Sequence, residues 1–167
     1  MITSRNKKVS VVVPNYNYSK YIGKRIDSIM RQTYPIYELI VLDDCSTDNS
    51  VDVIEKRLVE VREKYPEVKI SFVKNEKNSG KAIAQWKKGF ELATGDYVWI
   101  AEADDLSSRK FLEEVMRGFD VSGVVLSYTE SAIINSWGLM IAPNFRWSRD
   151  KEKTGHYKDS YVKVRGC

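Results

Sequence analysis

The chain has 167 residues, of which 43% are apolar, and this length and composition fit one compact domain with a sizeable core. It carries 27 Lys and Arg residues against 23 Asp and Glu, and because these charges are interspersed, the net charge of +4 gives no support to nucleic-acid binding. The apolar runs are far shorter than the ~20 residues that cross a bilayer, and the N-terminus lacks the apolar segment of a secretory signal. We therefore expect a cytoplasmic protein without a membrane span.

Short runs of β-branched residues recur along the chain and are typical of buried strands. The segments between these runs carry apolar residues at helical spacing. Alternation of this kind predicts an α/β fold, with a mostly parallel sheet covered by helices on both faces. The predicted strands are Lys8–Pro14, Glu38–Asp43, Val68–Lys74, Tyr97–Glu102 and Gly123–Ser131.

Helices are predicted between these strands, and polar residues mark where they begin. The first helix follows Asn17–Ser19, which can cap its first turn, and the second follows Asp48. The third helix ends at Gly95, which we interpret as a glycine cap, and a fourth spans about Ser108–Phe119. The apolar face predicted for the third helix consists of Ile83, Trp86, Phe90 and Ala93.

Acidic residues follow two of the predicted strands. Asp43 and Asp44 end the second strand, and Asp104 and Asp105 come just after the fourth. Because ligands of open α/β sheets bind at the carboxyl ends of strands, we expect these two pairs to lie near each other in a ligand site. Four close carboxylates need a cation or hydrogen-bond donors for compensation, and oxygen ligands suit Mg²⁺ or Mn²⁺. The pattern therefore predicts a metal-bridged diphosphate ligand.

Other interpretations of these residues stay open. Each acidic pair can belong to a turn in which Asp and Ser cap the following helix. The chain has no glycine-rich phosphate loop, and Asn78–Lys81 is at most an anion-friendly turn. A phosphoacceptor receiver domain is disfavoured, because its acidic pair should follow the first strand, where this chain has Pro14–Tyr18. Cys45 and Cys167 lack zinc or disulfide spacing, so reduced thiols are expected.

Three segments at predicted strand ends together resemble family 2 glycosyltransferases with the GT-A fold: Val9–Asn17, Leu39–Asp48 and Gly95–Asp105. Two further segments, Asn78–Gly89 and Ser127–Gly138, are similar to a bacterial branch of that family that builds surface polysaccharides. The resemblance covers about Val9 to Gly138. It implies a Rossmann-like GT-A sheet and a nucleoside-diphosphate-sugar donor.

The resemblance also implies roles for individual residues. Asp44 would accept a hydrogen bond from the imide N–H of uracil or thymine, which points to a UDP- or dTDP-linked sugar. Tyr16 would stack on the base, although a packing aromatic is an equally good interpretation, and Lys81 would lie near the base or diphosphate unless it is simply solvated. The implied donor-binding residues are Pro14, Tyr16, Asp44, Lys81 and Asp104, and the implied ligands of Mn²⁺ or Mg²⁺ are Asp105 and Asp104.

The implied reaction is an inverting transfer of the sugar to a polysaccharide or lipid-linked acceptor. The metal would neutralise the leaving diphosphate, and a carboxylate would deprotonate the acceptor hydroxyl. Between Leu106 and Cys167 no acidic pair matches the family, so we assign no general base and expect it beyond Cys167. The expectation is thus one nucleotide-sugar-binding GT-A domain over 1–167, which binds donor but transfers sugar negligibly without its acceptor-binding part. The parent protein can still associate peripherally with a membrane.

Two functions from other classes remain as alternatives. One is a nucleotide-sugar-binding module without turnover, which the unassigned base favours. The other is a nucleotidyltransferase, which normally needs a basic glycine-rich loop after the first strand, where this chain has Pro14–Ser19. The residues encoded after Cys167 would distinguish an enzyme from a binding module.

Overall fold

The computed structural model of the protein describes residues 7–129, 131–142 and 161–163. These residues divide into two compact units, one of them Asn6–Arg109 and the other comprising the described residues from Lys110 onward. The expected single domain over 1–167 stays a prediction, because much of the second unit lies outside the described residues.

The first unit alternates strands with helices throughout, which confirms the predicted α/β fold. Its strands begin or end within two residues of the predicted positions. The elements in chain order are β1 (Val9–Asn15), α1 (Ser19–Met30), β2 (Glu38–Asp43), α2 (Ser50–Lys64), β3 (Lys69–Lys74), α3 (Ala82–Leu92) and β4 (Tyr97–Ile100).

All four strands of this unit are parallel and lie in the order β3-β2-β1-β4. Val11 of β1 stands opposite Leu39 of β2 on one side and Trp99 of β4 on the other. Every residue of β1 and β2 is buried, which explains why these central strands are continuous apolar runs and not alternating ones. The sheet core therefore consists mainly of valine, isoleucine and leucine.

The strand order reverses between β1 and β4, because the chain steps from β1 to β3 in one direction and then returns to the other side of β1. Helices α1 and α2 contact each other, whereas α3 packs on β1 and β2. Right-handed crossovers place α3 on the opposite face from α1 and α2. The sheet is thus covered on both faces, and its topological switch point lies at the ends of β1 and β4.

Helix α3 approaches the sheet through a glycine. A Cβ at Gly89 would clash with the side chain of Val12, whose Cγ2 lies 2.9 Å from that position. The buried residues of α3 are Gln85 and Gly89, while Ile83 and Phe90 are 61% and 55% exposed. The predicted apolar face was therefore wrong, because close approach to β1 requires the small residue and not the large ones.

Gly89→Ala is expected to destabilise the protein by about 1–3 kcal/mol, because overpacking forces Val12 or the helix to shift. Gly23→Ala in α1 is the matched control, since its Cβ would meet only Val53 Cγ1 at 3.5 Å. That second change is expected to be neutral or to stabilise the helix by about 0.5–1 kcal/mol. Urea unfolding of both variants measures the difference, and equal stabilities would contradict the close packing of α3.

The end of α3 also differs from the prediction. The helix stops at Leu92 and is followed by Ala93 in an extended conformation, so Gly95 is not its cap. A Cβ at Gly95 would lie 2.8 Å from both the carbonyl oxygen of Lys8 and the hydroxyl of Ser10. Glycine is needed there for close backbone approach to β1.

The second unit contains one helix and several short strands in its described part. Helix α4 begins at Phe111, three residues later than predicted, and the strand predicted over Gly123–Ser131 is reduced to three residues. No helix in the described ranges is long and apolar enough to cross a membrane. The elements are α4 (Phe111–Gly118), β5 (Leu126–Tyr128), β6 (Ile133–Ile134), β7 (Met140–Ala142) and β8 (Tyr161–Lys163), with β5 parallel to β8 and β6 antiparallel to β7.

Candidate functional site

The four segments that leave the sheet at the carboxyl ends of its strands lie along one edge, because all four strands are parallel. They are residues 16–18, 44–49, 75–81 and 101–109. The reversal of strand order between β1 and β4 makes this edge the expected ligand crevice of an open α/β sheet.

The segments after β1 and β2 are joined by side-chain hydrogen bonds. Asn15 Nδ2 donates to Asp43 Oδ1 at 2.8 Å, and the backbone N–H of Ser46 donates to Asp43 Oδ2 at 2.9 Å. Asn17 has a positive φ of 59°, which Asn tolerates better than most residues, and its Oδ1 accepts from the N–H of Thr47 at 2.7 Å. Asp43, the last residue of β2, therefore holds the turn that follows the strand, but it does not cap α2.

Asp48 links the first turns of two helices. Its Oδ1 accepts from the backbone N–H of Ser50 at 2.9 Å, at the start of α2, and its Oδ2 accepts from Ser19 N–H at 3.0 Å, at the start of α1. Burial alone would raise the pKa of Asp48, but the hydrogen bonds from Ser50 and Ser19 outweigh it and lower the pKa to about 2. One carboxylate thus accepts from the first backbone N–H of both helices, while the N-cap residues themselves are Tyr18 and Asn49.

Asp48→Ala is expected to cost about 1–2 kcal/mol of stability at neutral pH, the range of a helix cap, discounted because the group is partly exposed. The folded pKa of about 2 lies below the ordinary aspartate pKa of 3.8, so this contribution is present above pH 3.8 and disappears as the pH falls through 2. Denaturant unfolding from pH 6 to pH 2 measures it. Asp52→Asn, an exposed change in the first turn of α2, is the control and should cost only a few tenths of a kcal/mol. A constant Asp48→Ala deficit at every pH would contradict the account.

Asp44 is only 5% exposed and is surrounded by donors from the segment after β3 and from α3. Its Oδ1 accepts from Asn75 Nδ2 at 2.7 Å and from Gln85 Nε2 at 2.8 Å. Ser79 N–H lies 3.0 Å from both carboxylate oxygens, and the Ser79 hydroxyl donates to Oδ2 at 2.7 Å. Burial alone would raise the pKa of Asp44, but the hydrogen bonds from Ser79 and Asn75 lower it overall. The carboxylate is therefore held ionised in one orientation.

The residues that hold Asp44 carried little sequence signal. Asn75, Ser79 and Gln85 are 31 to 41 residues away in the chain, and only the fold brings them to the end of β2. Lys88 extends the network by donating to Asn75 Oδ1 at 2.5 Å. If the buried face of α3 had been predicted correctly, Gln85 would have stood out as a buried polar residue near the end of β2.

A second acidic group follows β4 and comprises Glu102, Asp104 and Asp105. Burial raises the pKa of Glu102, Trp86 Nε1 opposes this by donating to its Oε1 at 2.7 Å, and the neighbouring aspartates raise the pKa further. Burial also raises the pKa of Asp105, against the effect of Arg25. Sequence reasoning missed Glu102, the last residue of the predicted strand, and it treated Trp86 as core, whereas the Trp86 indole donates to Glu102.

Two residues, one just before α1 and one within it, interact with this acidic group. The Asp104 carboxylate raises the pKa of Tyr18 by its charge and by a hydrogen bond, and burial adds to the effect. Arg25 is only 3% exposed and interacts electrostatically with Asp105, Glu102 and Asp104. Arg25 lies on the apolar face of α1, and this charged residue at an apolar position is a signal that sequence reasoning did not use.

The two acidic pairs do not form the single cluster of four carboxylates that the sequence suggested. Strands β2 and β4 lie on opposite sides of β1, two strand spacings or roughly 10 Å apart. Hydrogen-bond donors compensate Asp43 and Asp44, and a guanidinium partly compensates Asp104 and Asp105. The expectation of one four-acid cluster was therefore wrong, because the strand order cannot be deduced from the order of elements alone.

The other predicted donor-binding residues lie at the same sheet edge. Pro14 lies inside β1 and not at its end. The neighbouring strand β4 pairs with β1 only as far as Val12, so Pro14 extends past the end of β4. Tyr16 is 43% exposed at the strand exit, which leaves its ring accessible to a ligand. Lys81 is exposed and immediately precedes α3. Their roles in donor binding stay predictions.

The residues after β4 have the chemistry of a site for a hard divalent cation. Asp104 and Asp105 are exposed and offer carboxylate oxygens beside a third acid, Glu102, and the mutual repulsion of these carboxylates favours an added positive charge. Among residues 7–129, 131–142 and 161–163, no group of three or more His, Cys, Asp or Glu side chains is arranged to hold a metal by itself. Mg²⁺ and Mn²⁺ suit such an incomplete set, since they commonly complete their shell with water and phosphate oxygens.

The model of the family described as Glycosyl transferase family 2 matches residues 10–163. The putative teichuronic acid biosynthesis glycosyltransferase TuaG of Bacillus subtilis is 34% identical to the chain over 128 residues. This match covers 77% of the chain and 48% of TuaG, so the chain spans about half the length of that curated relative.

Two solved structures share the fold. The mannosyltransferase PcManGT of Pyrobaculum calidifontis, in complex with GDP-Man and Mn²⁺, matches with a TM-score of 0.64 and 27% identity over 77% of the chain and 36% of its own. Residues 1–349 of TarS of Staphylococcus aureus, in complex with UDP-GlcNAc, match with a TM-score of 0.62 and 30% identity over 74% of the chain and 34% of its own.

Proposed function

The chain belongs to glycosyl transferase family 2, and on this premise we propose that it binds a nucleoside-diphosphate sugar at the carboxyl edge of its four-stranded sheet. The protein then transfers the sugar, with inversion, to a saccharide or lipid-linked saccharide acceptor. The observation that carries the proposal is the pair of polar groups on this edge, one centred on Asp44 and the other on Asp104 and Asp105. The complexes of TarS and PcManGT with nucleotide sugars support the same ligand class.

Asp44 recognises the base in this proposal. Its low pKa keeps it ionised, and an ionised carboxylate is a strong acceptor for the imide N–H of uracil or thymine. Ser79 N–H is shared between both oxygens, so one of its contacts can be exchanged for the base without leaving Ser79 unpaired. Tyr16 stacks on the base from the exit of β1, beside Pro14, and Lys81 approaches the base or the diphosphate.

Asp104 and Asp105 hold a divalent cation, Mn²⁺ or Mg²⁺, and Asp104 also reaches the ribose. When bound, the cation neutralises charge that develops on the leaving diphosphate. Tyr18 lies beside this pair of aspartates, because it interacts with Asp104. The Mn²⁺ in the complex of PcManGT supports a metal of this type.

The general base stays a prediction for the acceptor-binding part beyond Cys167. In the described part of the second unit, Glu113 and Glu114 lie 3.6 and 3.0 Å from Arg117 in ion pairs along α4, so we give them no role in the reaction. Four further acidic residues after Leu106 lie outside the described residues, as do His156 and Cys167. These acidic residues are Glu130, Asp150, Glu152 and Asp159.

We place the donor-binding part in the cytoplasm, where the free thiol of Cys45 would stay reduced.

A nucleotide panel tests the proposal. UDP, dTDP, GDP and ADP are each added with and without Mn²⁺, and the melting temperature is recorded, because a ligand of the native state stabilises it by mass action. UDP and dTDP with Mn²⁺ should raise the melting temperature most. A protein whose melting temperature no nucleotide changes would contradict the proposed function.

A further inference from the structure

A buried arginine lies behind the acidic group that follows β4. Arg25 belongs to the face of α1 that buries Ile22, Ile26 and Ile29, and it is itself only 3% exposed. Its Nη1 donates to Ser107 Oγ at 2.7 Å, in the same segment as the acids. Among the described residues, its Nε is buried without a hydrogen-bond partner.

Contacts on both sides of the acidic group fix the guanidinium. Its carbon lies 5.2 Å from the ring centroid of Trp99, in the strand that leads into Glu102. Ser107 lies two residues after Asp105. Arg25 therefore spans the segment that contains Glu102, Asp104 and Asp105.

A buried guanidinium is costly unless negative charge compensates it, and a helix face that only packs is served at least as well by an apolar residue. Burial lowers the pKa of Arg25 to about 10, against the opposing effect of Asp105, Glu102 and Asp104. The arginine and the three acids thus depend on each other electrostatically.

We infer that Arg25 is the resident counter-cation of the Glu102–Asp105 segment and makes the binding of a divalent metal there depend on the donor diphosphate. The inference rests on the proposed function. With the guanidinium in place, the carboxylates are already partly neutralised, so a metal ion alone gains little. The diphosphate brings further negative charge and phosphate oxygens, so metal and donor bind together.

Neutral and charge-retaining variants separate this role from a structural one. Arg25→Met and Arg25→Gln remove the charge while keeping an extended side chain, whereas Arg25→Lys retains the charge. Ser107→Ala removes only the hydrogen-bond partner of Nη1. The amount of free Mn²⁺, read from its electron paramagnetic resonance signal, gives the Mn²⁺ affinity with and without UDP.

The neutral variants are expected to bind Mn²⁺ alone about tenfold or more tightly than the wild type, from the loss of one nearby positive charge. Because Mn²⁺ affinity in the presence of UDP should change less, the enhancement of Mn²⁺ binding by UDP should shrink. By reciprocity, the enhancement of UDP binding by Mn²⁺ should shrink by the same factor. Arg25→Lys and Ser107→Ala should stay within about threefold of the wild type. Disrupted local structure would instead weaken Mn²⁺ binding, so the direction of the change separates the two explanations.

Folded neutral variants with equal or weaker Mn²⁺ affinity would overturn the inference. A neutral variant that folds only when Mn²⁺ is added would support it, because the metal then replaces the guanidinium. A neutral variant that stays unfolded with both Mn²⁺ and UDP would contradict it. If the wild type binds neither Mn²⁺ nor UDP, the proposed function fails first and the inference fails with it.

Discussion

Asp105→Asn is expected to abolish the part of UDP binding that depends on Mn²⁺. The change removes the charge of one of the two carboxylates proposed to hold the metal, and even loss of a group that only supports a metal ligand typically costs 10–100-fold. We therefore expect the dissociation constant of UDP in the presence of Mn²⁺ to rise by about tenfold to a hundredfold. Calorimetric titrations with and without Mn²⁺ measure both parts of the affinity.

Asp96→Asn is the matched control for this change. Asp96 precedes β4 at the other end of the strand, where its Oδ2 accepts from the backbone N–H of Lys8 at 2.8 Å. The same chemical substitution there should leave the effect of Mn²⁺ on UDP binding unaltered. If Mn²⁺ still strengthens UDP binding to Asp105→Asn as much as it does for the wild type, Asp105 does not belong to the metal site.

Asp44→Ala is expected to weaken UDP and dTDP binding by about 1–3 kcal/mol, the range for losing a charged hydrogen-bond partner. The loss should appear without metal as well, and Mn²⁺ binding should change less, because Asp44 and the acids after β4 lie on opposite sides of β1. The lowered pKa of Asp44 implies that wild-type base recognition persists as the pH falls to 3.8, the ordinary pKa of an aspartate. Calorimetry with UDP at several pH values measures both effects.

Ser79→Ala controls for the second role of Asp44, which is to hold the segment after β3. It removes the hydroxyl that donates to Asp44 Oδ2 but leaves the carboxylate and the Ser79 N–H in place. A smaller loss of UDP affinity than in Asp44→Ala is expected. If folded Asp44→Ala binds UDP as the wild type does, Asp44 is only a structural anchor.

The alternation of strands and helices could be predicted because it depends on local patterns. The apolar runs within Val9–Asn15 and Glu38–Asp43 form the buried centre of the sheet as expected. The buried face of α3 could not be predicted, because it depends on how closely Gly89 approaches Val12 in another element. Spacing locates a helix but does not reveal which side meets its neighbour.

The candidate site also has a part that the sequence predicts and a part that only the fold reveals. The positions of Asp44, Asp104 and Asp105 follow from the rule that strand ends form ligand sites, and this part needed only the sequence. Their partners needed the fold: Gln85 reaches Asp44 across 41 residues, and Arg25 reaches Ser107 across 82. Strand order also decided that the acids form two groups, since β1 separates β2 from β4.

The central claim is that a nucleoside diphosphate and a divalent metal bind together at the carboxyl edge of the sheet. Amide spectra of the ¹⁵N-labelled protein test it directly, because bound Mn²⁺ broadens the signals of nearby residues. With UDP present, broadening should centre on residues 101–107 and extend to 16–18, while UDP with Mg²⁺ should shift signals of residues 44–46 and 75–81. Broadening centred at the opposite edge of the sheet, for example around Asp96 at the start of β4, would contradict the account.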